Sequence, residues 1–246
     1  MYHWQGIFVA EGEKVVRRLL ESKLEIVSVL VTPEWLQMVQ PLLEARSGDL
    51  PVFVADRKHV EAIVGFHLHQ GIMAVGRIPQ PGMLDDVLAA NVRPYLLVAV
   101  DGLTNAENLG VLVRNCAAFG VQAILVGETS SSPYLRRAVR NSMGTVFDLP
   151  IVHVTSLVRT LEEIRGSHGI RVLAAHPHAR EKEVHQAGLA EDCCLVFGSE
   201  GEGVSSHVLA VCDEAVAIPM KKGVDSLSVA SAGAVFLYEV QRQRNP

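Results

Sequence analysis

"YLLVAVDGLTNAENLGVLVRNCAAFGV", residues 95–121, decides how the chain is read. It opens on a short, almost uninterrupted apolar run, which is what a strand buried on both faces of a sheet requires. A turn rich in Asn and Gly follows. Leu109, Val111, Leu112, Val113, Cys116, Ala117, Ala118 and Phe119 then form an apolar helix that begins near Asn108, a residue type favoured at helix N-caps. Arg114 stands inside that helix, and a buried guanidinium is costly unless paired. It therefore either snorkels to solvent or meets a specific partner.

Working outward, the strand-and-helix rhythm repeats through "AILVG" (123–127), "RVLAAH" (171–176), "CCLVFGSE" (193–200) and "EAVAIPM" (214–220), the last strand ending at Pro219. Near-continuous apolar strands alternating with helices predict a parallel sheet covered on both faces. In such sheets the ligand crevice lies at the carboxyl ends of the strands. Residues 94–246 are thus the expected seat of chemistry.

Residues 1–79 carry the same rhythm at smaller scale. "GEKVVRRLLES" (12–22) puts Val15, Val16, Leu19 and Leu20 on one helical face. "IVSVLVT" (26–32) and "PVFVA" (51–55) read as strands, Pro33 opens a helix, another starts from Asp56, and "GIMAVGRI" (71–78) completes a small α/β unit. "PQPGM" (79–83) starts an expected linker over 80–93.

Composition narrows the function. The chain has 246 residues, 49% hydrophobic and 20% charged, with a formal charge of −5. No apolar run approaches the ~20 residues needed to span a bilayer, and the N-terminus lacks the pattern of a secretory signal. The cytoplasm is the expected compartment. Cys116, Cys193, Cys194 and Cys212 form no C-x-x-C pair and have apolar neighbours, so they read as buried thiols. The pairs His67/His69 and His176/His178 lack an obvious third ligand, and no metal is expected. Nucleic-acid binding would rest on local basic clusters: Arg136, Arg137 and Arg140, then Lys14, Arg17 and Arg18.

Two further segments complete the pattern. "LVFGSEGEGVSSHVL" (195–209) is glycine-rich after a strand, yet meets neither the dinucleotide nor the P-loop spacing. Glu200 and Glu202 would repel a pyrophosphate, so an unrelated nucleotide-dependent enzyme is disfavoured. Phe197 stands where a serine-hydrolase elbow needs glycine. Carboxylates without a basic residue suit a ligand bearing hydroxyls, amines or a cation. "IPMKKGVDSLSVASAGAVFLYEVQ" (218–241) runs from strand end to loop to a small-residue helix, with Ser226 as its expected N-cap.

Taken in order, the three segments resemble the SpoU/TrmH family of RNA ribose 2′-O-methyltransferases, in the SPOUT class. The matching residues are Asn108-Leu109-Gly110…Arg114, Gly198-Ser199-Glu200-Gly201-Glu202-Gly203, and Ile218-Pro219-Met220…Ser226-Leu227-Ser228. The likeness spans roughly 95–240, and "FVAEGEKVV" resembles the ribosomal-protein-like RNA-binding domain that often precedes it. The resemblance implies an α/β fold with a deep trefoil knot, a homodimer formed through the knot region, and S-adenosylmethionine held by Gly198, Ile218, Met220 and Leu227. It implies catalysis by Asn108, Arg114, Glu200, Ser226 and Ser228, with Glu200 and Asn108 orienting the guanidinium. Ribosomal RNA is the expected substrate. The alternatives are a tRNA 2′-O-methyltransferase and a non-catalytic RNA-binding or ribosome-assembly protein on the same fold. One position departs from the family: Ser228 stands where Asn is usual.

Overall fold

The computed structural model describes residues 5–46, 48–64, 70–179 and 182–245, so His67 and His69 lie outside the described residues. The chain divides into two compact units, residues 1–80 with 133–148 and residues 81–132 with 149–246.

In the first unit, β1 (Ile7–Glu11), α1 (Glu13–Glu21), β2 (Ile26–Val31), α2 (Pro33–Glu44), β3 (Val52–Val54), α3 (Arg57–Val64) and β4 (Ile72–Arg77) follow in order. Its sheet runs β1-β4-β2-β3, with β1 and β2 antiparallel to β4 and β3 parallel to β2. Helix α1 buries Val15, Val16, Leu19 and Leu20, the stripe its periodicity predicts. Strand β1 has no counterpart in the sequence reading.

Residues 133–148, read from sequence with the C-terminal domain, pack into this first unit. They carry α6 (Arg136–Asn141). Phe8 of β1 meets Tyr134 and Phe147 at ring-centroid distances of 5.4 and 5.3 Å. Arg136 donates from Nε and Nη2 to Glu11 Oε2 at 3.1 and 2.7 Å, and Arg140 stands 3.6 Å from the other oxygen. Glu11 has a side chain only 7% exposed, so these arginines neutralise a buried carboxylate. Both keep exposed surface, 37% and 54% of their side chains, beside that role. Arg18 likewise donates to the Met143 carbonyl at 2.9 Å, and Arg17 pairs with Glu13 at 3.1 Å. Lys14 is exposed.

The second unit comprises α4 (Leu84–Ala90), β5 (Leu96–Val100), α5 (Ala106–Ala118), β6 (Ala123–Val126), β7 (Ile151–His153), α7 (Leu157–Gly166), β8 (Arg171–Ala175), β9 (Cys193–Phe197), α8 (Ser206–Leu209), β10 (Glu214–Val216) and α9 (Val229–Arg244). Its six strands run in the order β10-β8-β9-β5-β6-β7, and every neighbouring pair is parallel. The direction of winding reverses between β5 and β9, which places a topological switch at the centre of the sheet. Strands β5, β6 and β9 are buried at every position.

The stretch expected to be a linker instead carries α4, whose Val87 and Leu88 join the core with Leu97, Leu125 and Val152. Strand β10 ends at Val216 rather than Pro219. The four cysteines are free thiols, and burial pushes those of Cys193 and Cys212 up to about 11 and about 12. Among the described residues, no helix is long and apolar enough to cross a membrane.

Candidate active site

A cavity of about 280 Å3 opens at the carboxyl ends of β8, β9 and β10 and is closed by the start of α9. Its apolar wall is Phe197, Ile218, Met220, Leu227, Val229 and Phe236. The 198–203 turn contributes backbone and the carboxylates of Glu200 and Glu202, while Asp225 and Ser226 come from the loop before α9. All four residues expected to hold a ligand, Gly198, Ile218, Met220 and Leu227, line this one space.

Gly198 is there because nothing larger fits. A Cβ at this position would lie 2.0 Å from the Gly203 carbonyl carbon and 2.1 Å from the Val204 nitrogen, both backbone atoms that cannot rotate aside. The turn closes through paired backbone bonds between Ser199 and Gly203, each 3.0 Å. Its far end is fixed by Asp101, which accepts from the Ser205 N–H at 2.7 Å. Asp101 follows β5 immediately, so the sheet itself holds the turn in place.

Helix α5 approaches the same turn. Its N-cap is Asn105, whose side chain accepts from the N–H groups of Glu107 and Asn108 at 2.9 and 3.0 Å. This corrects the expectation that Asn108 caps the helix. An Asn immediately before the first helical residue satisfies two otherwise orphan donors, and Asn108, one turn in, is released for another task. It donates from Nδ2 to Glu200 Oε1 at 3.0 Å.

Arg114 lies on the exposed side of α5 and makes no hydrogen bond or ion pair to a described residue. The cost of burying its charge, raised by the apolar helix around it, is therefore never incurred. Six residues of α-helix separate it from Asn108 by about 9 Å of rise and about 240° of turn, so the Asn108–Glu200 pair does not bond to the guanidinium. The chain presents a fixed carboxylate and a cation left free to meet another molecule.

The N-cap of α9 is Ser228, not Ser226. Its hydroxyl accepts from the Ser231 N–H at 3.3 Å and donates to the Ser231 hydroxyl at 3.0 Å. The residue that departs from the family pattern is thus engaged in starting the final helix. Asn115 ties α5 to α9 by donating to the Ala230 carbonyl at 2.8 Å.

His176, His178 and Asp225 also line the cavity and were not assigned to it from sequence. The two rings meet edge to face with centroids 6.0 Å apart. His176 directly follows β8, so the rule that ligands gather at carboxyl strand ends was the available signal. Arg136, Arg137 and Arg140 are not among the residues the cavity brings together, and they belong to the first unit.

Comparison with known proteins places this geometry in a class. Residues 95–238 match the SpoU rRNA Methylase family, and residues 9–82 match the domain described as RNA 2′-O ribose methyltransferase substrate binding. The chain belongs to the SpoU rRNA methylase family. It is 34% identical over 210 residues to the 23S rRNA (guanosine-2′-O-)-methyltransferase RlmB of Haemophilus influenzae, covering 84% of this chain and 85% of that one. It is 33% identical over 242 residues to an uncharacterized tRNA/rRNA methyltransferase of Mycobacterium tuberculosis, covering 97% and 82%. In fold it resembles the SpoU methyltransferase AviRb from Streptomyces viridochromogenes, solved in complex with AdoMet. The TM-score is 0.85 at 23% identity, over 99% of this chain and 92% of that one.

Proposed function

We propose that the protein is an S-adenosylmethionine-dependent RNA 2′-O-ribose methyltransferase acting on ribosomal RNA in the cytoplasm. The observation that carries this reading is the chemistry of the cavity. Among its described lining residues stand three carboxylates, Glu200, Glu202 and Asp225, with an apolar wall and no Lys or Arg. A phosphate-bearing cofactor is repelled by that donor set. A ligand with ribose hydroxyls, an amine and a sulfonium is suited to it. The family relationship points the same way, since RlmB of Haemophilus influenzae is named for guanosine 2′-O-methylation of 23S rRNA.

When bound, S-adenosylmethionine supplies an electrophilic methyl group on sulfur. Gly198, Ile218, Met220 and Leu227 would hold it, Gly198 because its lack of a Cβ lets the turn that walls the cavity pack against Gly203 and Val204. Alignment of acceptor and methyl group accounts for a large share of such a rate enhancement, up to ~7–11 kcal/mol in favourable cases. Arg114 meets the RNA backbone and stabilises charge at the attacking oxygen. A guanidinium, with a pKa above ~12, does not serve as the base, and the RNA phosphate takes the ribose proton. Asn108 fixes Glu200 at the wall of the cavity. Ser226 lines the cavity, and Ser228 sets the start of the helix behind it.

The same reading assigns residues 1–79 to RNA recognition and residues 94–246 to a knotted methyltransferase domain. It also makes the enzyme a homodimer. Leu227, Val235 and Tyr238, at and along α9, are 41%, 38% and 61% exposed, an apolar surface suited to a second copy.

The test is transfer of labelled methyl from S-adenosylmethionine to purified rRNA and tRNA offered separately. Label in rRNA that makes one linkage resistant to alkali is the expected result. Label in tRNA alone moves the substrate, and cofactor binding without label in either pool points to an assembly intermediate. In the same assay Arg114→Ala loses about 10²–10³-fold in rate while cofactor affinity holds. Near-normal methylation by this variant refutes the role given to Arg114.

A further inference from the structure

A second cleft, of about 750 Å3, adjoins the cofactor cavity and shares Pro177, His178, Ile218, Met220 and Asp225 with it. Its character is different. Lys182, His185, Lys221 and Lys222 line it, in a chain whose formal charge is −5. Two of these side chains are already engaged: Lys182 pairs with Glu214 at 2.9 Å and His185 stands 3.3 Å from Glu183. Lys221 and Lys222 are exposed and bond to no described residue. The backbone nevertheless holds them in place. The Val224 N–H bonds back to the Lys221 carbonyl at 3.2 Å, and Gly223 takes the positive φ of 94° that this turn needs.

We propose that the Lys221–Lys222 turn is a phosphate bed for the RNA strand, engaging backbone phosphates next to the ribose presented at the cofactor cavity. The inference rests on the methyltransferase reading for where that ribose lies, but not for the phosphate contacts themselves. Glu200 and Glu202 line only the cofactor cavity and Lys221 and Lys222 only the cleft, while Asp225 lines both and Glu183 lines the cleft, so the two lysines are its positive charges without a partner among the described residues. Lys221 and Lys222 are adjacent in the chain and both line the cleft, so each can neutralise a phosphate of one strand laid along it. Ammonium groups bind phosphate as point charges without demanding a fixed fork geometry, which suits a contact that positions a strand without reading its sequence.

The experiment measures binding of purified 23S rRNA and of a single-stranded oligouridylate to the full chain between about 50 and 200 mM salt, the range over which phosphate contacts are most visible. Lys221→Ala/Lys222→Ala is expected to make the log K against log[salt] slope shallower by about 1.4–1.8, the equivalent of two phosphate contacts. S-adenosylmethionine binding is unchanged, and Lys221→Arg/Lys222→Arg restores the slope. A variant with the wild-type slope on both RNAs overturns the proposal, as does loss of cofactor affinity along with it. If the wild type shows the lysine-dependent slope but transfers no methyl group, the reaction falls and the phosphate bed stands. If it methylates rRNA and the slope ignores the lysines, the bed falls and the reaction stands.

Discussion

Replacing Gly198 by alanine puts the reading of the site at risk with one methyl group. The new Cβ would sit 2.0–2.1 Å from three backbone atoms of Gly203 and Val204, so the turn must retreat by about 1 Å to reach even the 3.0 Å limit of real contacts. Overpacking of this kind costs about 1–3 kcal/mol. The retreat also strains both Ser199–Gly203 backbone bonds, each contributing about 0.5–1.5 kcal/mol. Together these give about 2–6 kcal/mol, or a fall in Tm of about 4–24 °C for a unit of this size. Because the turn is a wall of the cavity proposed to hold the cofactor, S-adenosylmethionine affinity is expected to fall by about tenfold or more, which corresponds to at least 1.4 kcal/mol. Gly201→Ala is the control: its Cβ would meet nothing within 4 Å, and a substitution of that kind stays within about 0.5 kcal/mol. Calorimetry of both variants, with and without cofactor, decides the matter. If Gly198→Ala melts within about 1 °C of Gly201→Ala and binds the cofactor equally, the close approach of the turn is not what builds the site.

Other expectations follow from single contacts. Ser228→Ala removes the cap of α9 and costs about 1 kcal/mol, whereas Ser228→Asn keeps an equivalent cap and holds stability within a few tenths; the two melting temperatures separate them, and an Asn variant less stable than Ala contradicts the capping role. Arg136→Ala leaves the buried Glu11 carboxylate facing Arg140 at 3.6 Å and destabilises the first unit by about 1–3 kcal/mol; an unchanged melt means that the ion pair carries no stability. Hydrogen bonds from Arg242, helped by Gln243 and opposed by burial, hold the Glu239 carboxyl down at about 2, below the usual carboxylate value of 4.5. A carboxyl with a depressed folded-state pKa stabilises the fold fully above its unfolded pKa and loses that contribution as pH falls toward the folded one. Between pH 4.5 and about 2, wild-type Tm is therefore expected to drop more steeply than that of Glu239→Gln, and parallel acid profiles would remove Glu239 from the account.

What was legible in the chain was its local physics. Near-continuous apolar runs within 95–103, 123–127, 171–176 and 193–200 lie at β5, β6, β8 and β9, because burial on both faces leaves no room for alternation. The α1 stripe was legible because helical periodicity is contained within nine residues. Short elements escaped: β7 spans three residues, too few to show a period. Cap assignments slipped by two or three positions at both α5 and α9. In "TNAEN" and "DSLS" more than one residue can cap, and the choice depends on where the following helix packs.

By itself, the sequence determined that the second half is a parallel α/β sheet, that a glycine-rich turn with carboxylates stands at a strand end, and that no phosphate loop is present. Those are properties of short windows. Only the tertiary structure decided that Asn108 holds Glu200 across 92 residues, that Arg136 neutralises Glu11 across 125, and that Arg114 faces solvent. Such pairings follow from strand order and crossovers, which bring distant segments together. A side chain's spacing from its neighbours in sequence carries no record of what will arrive opposite it.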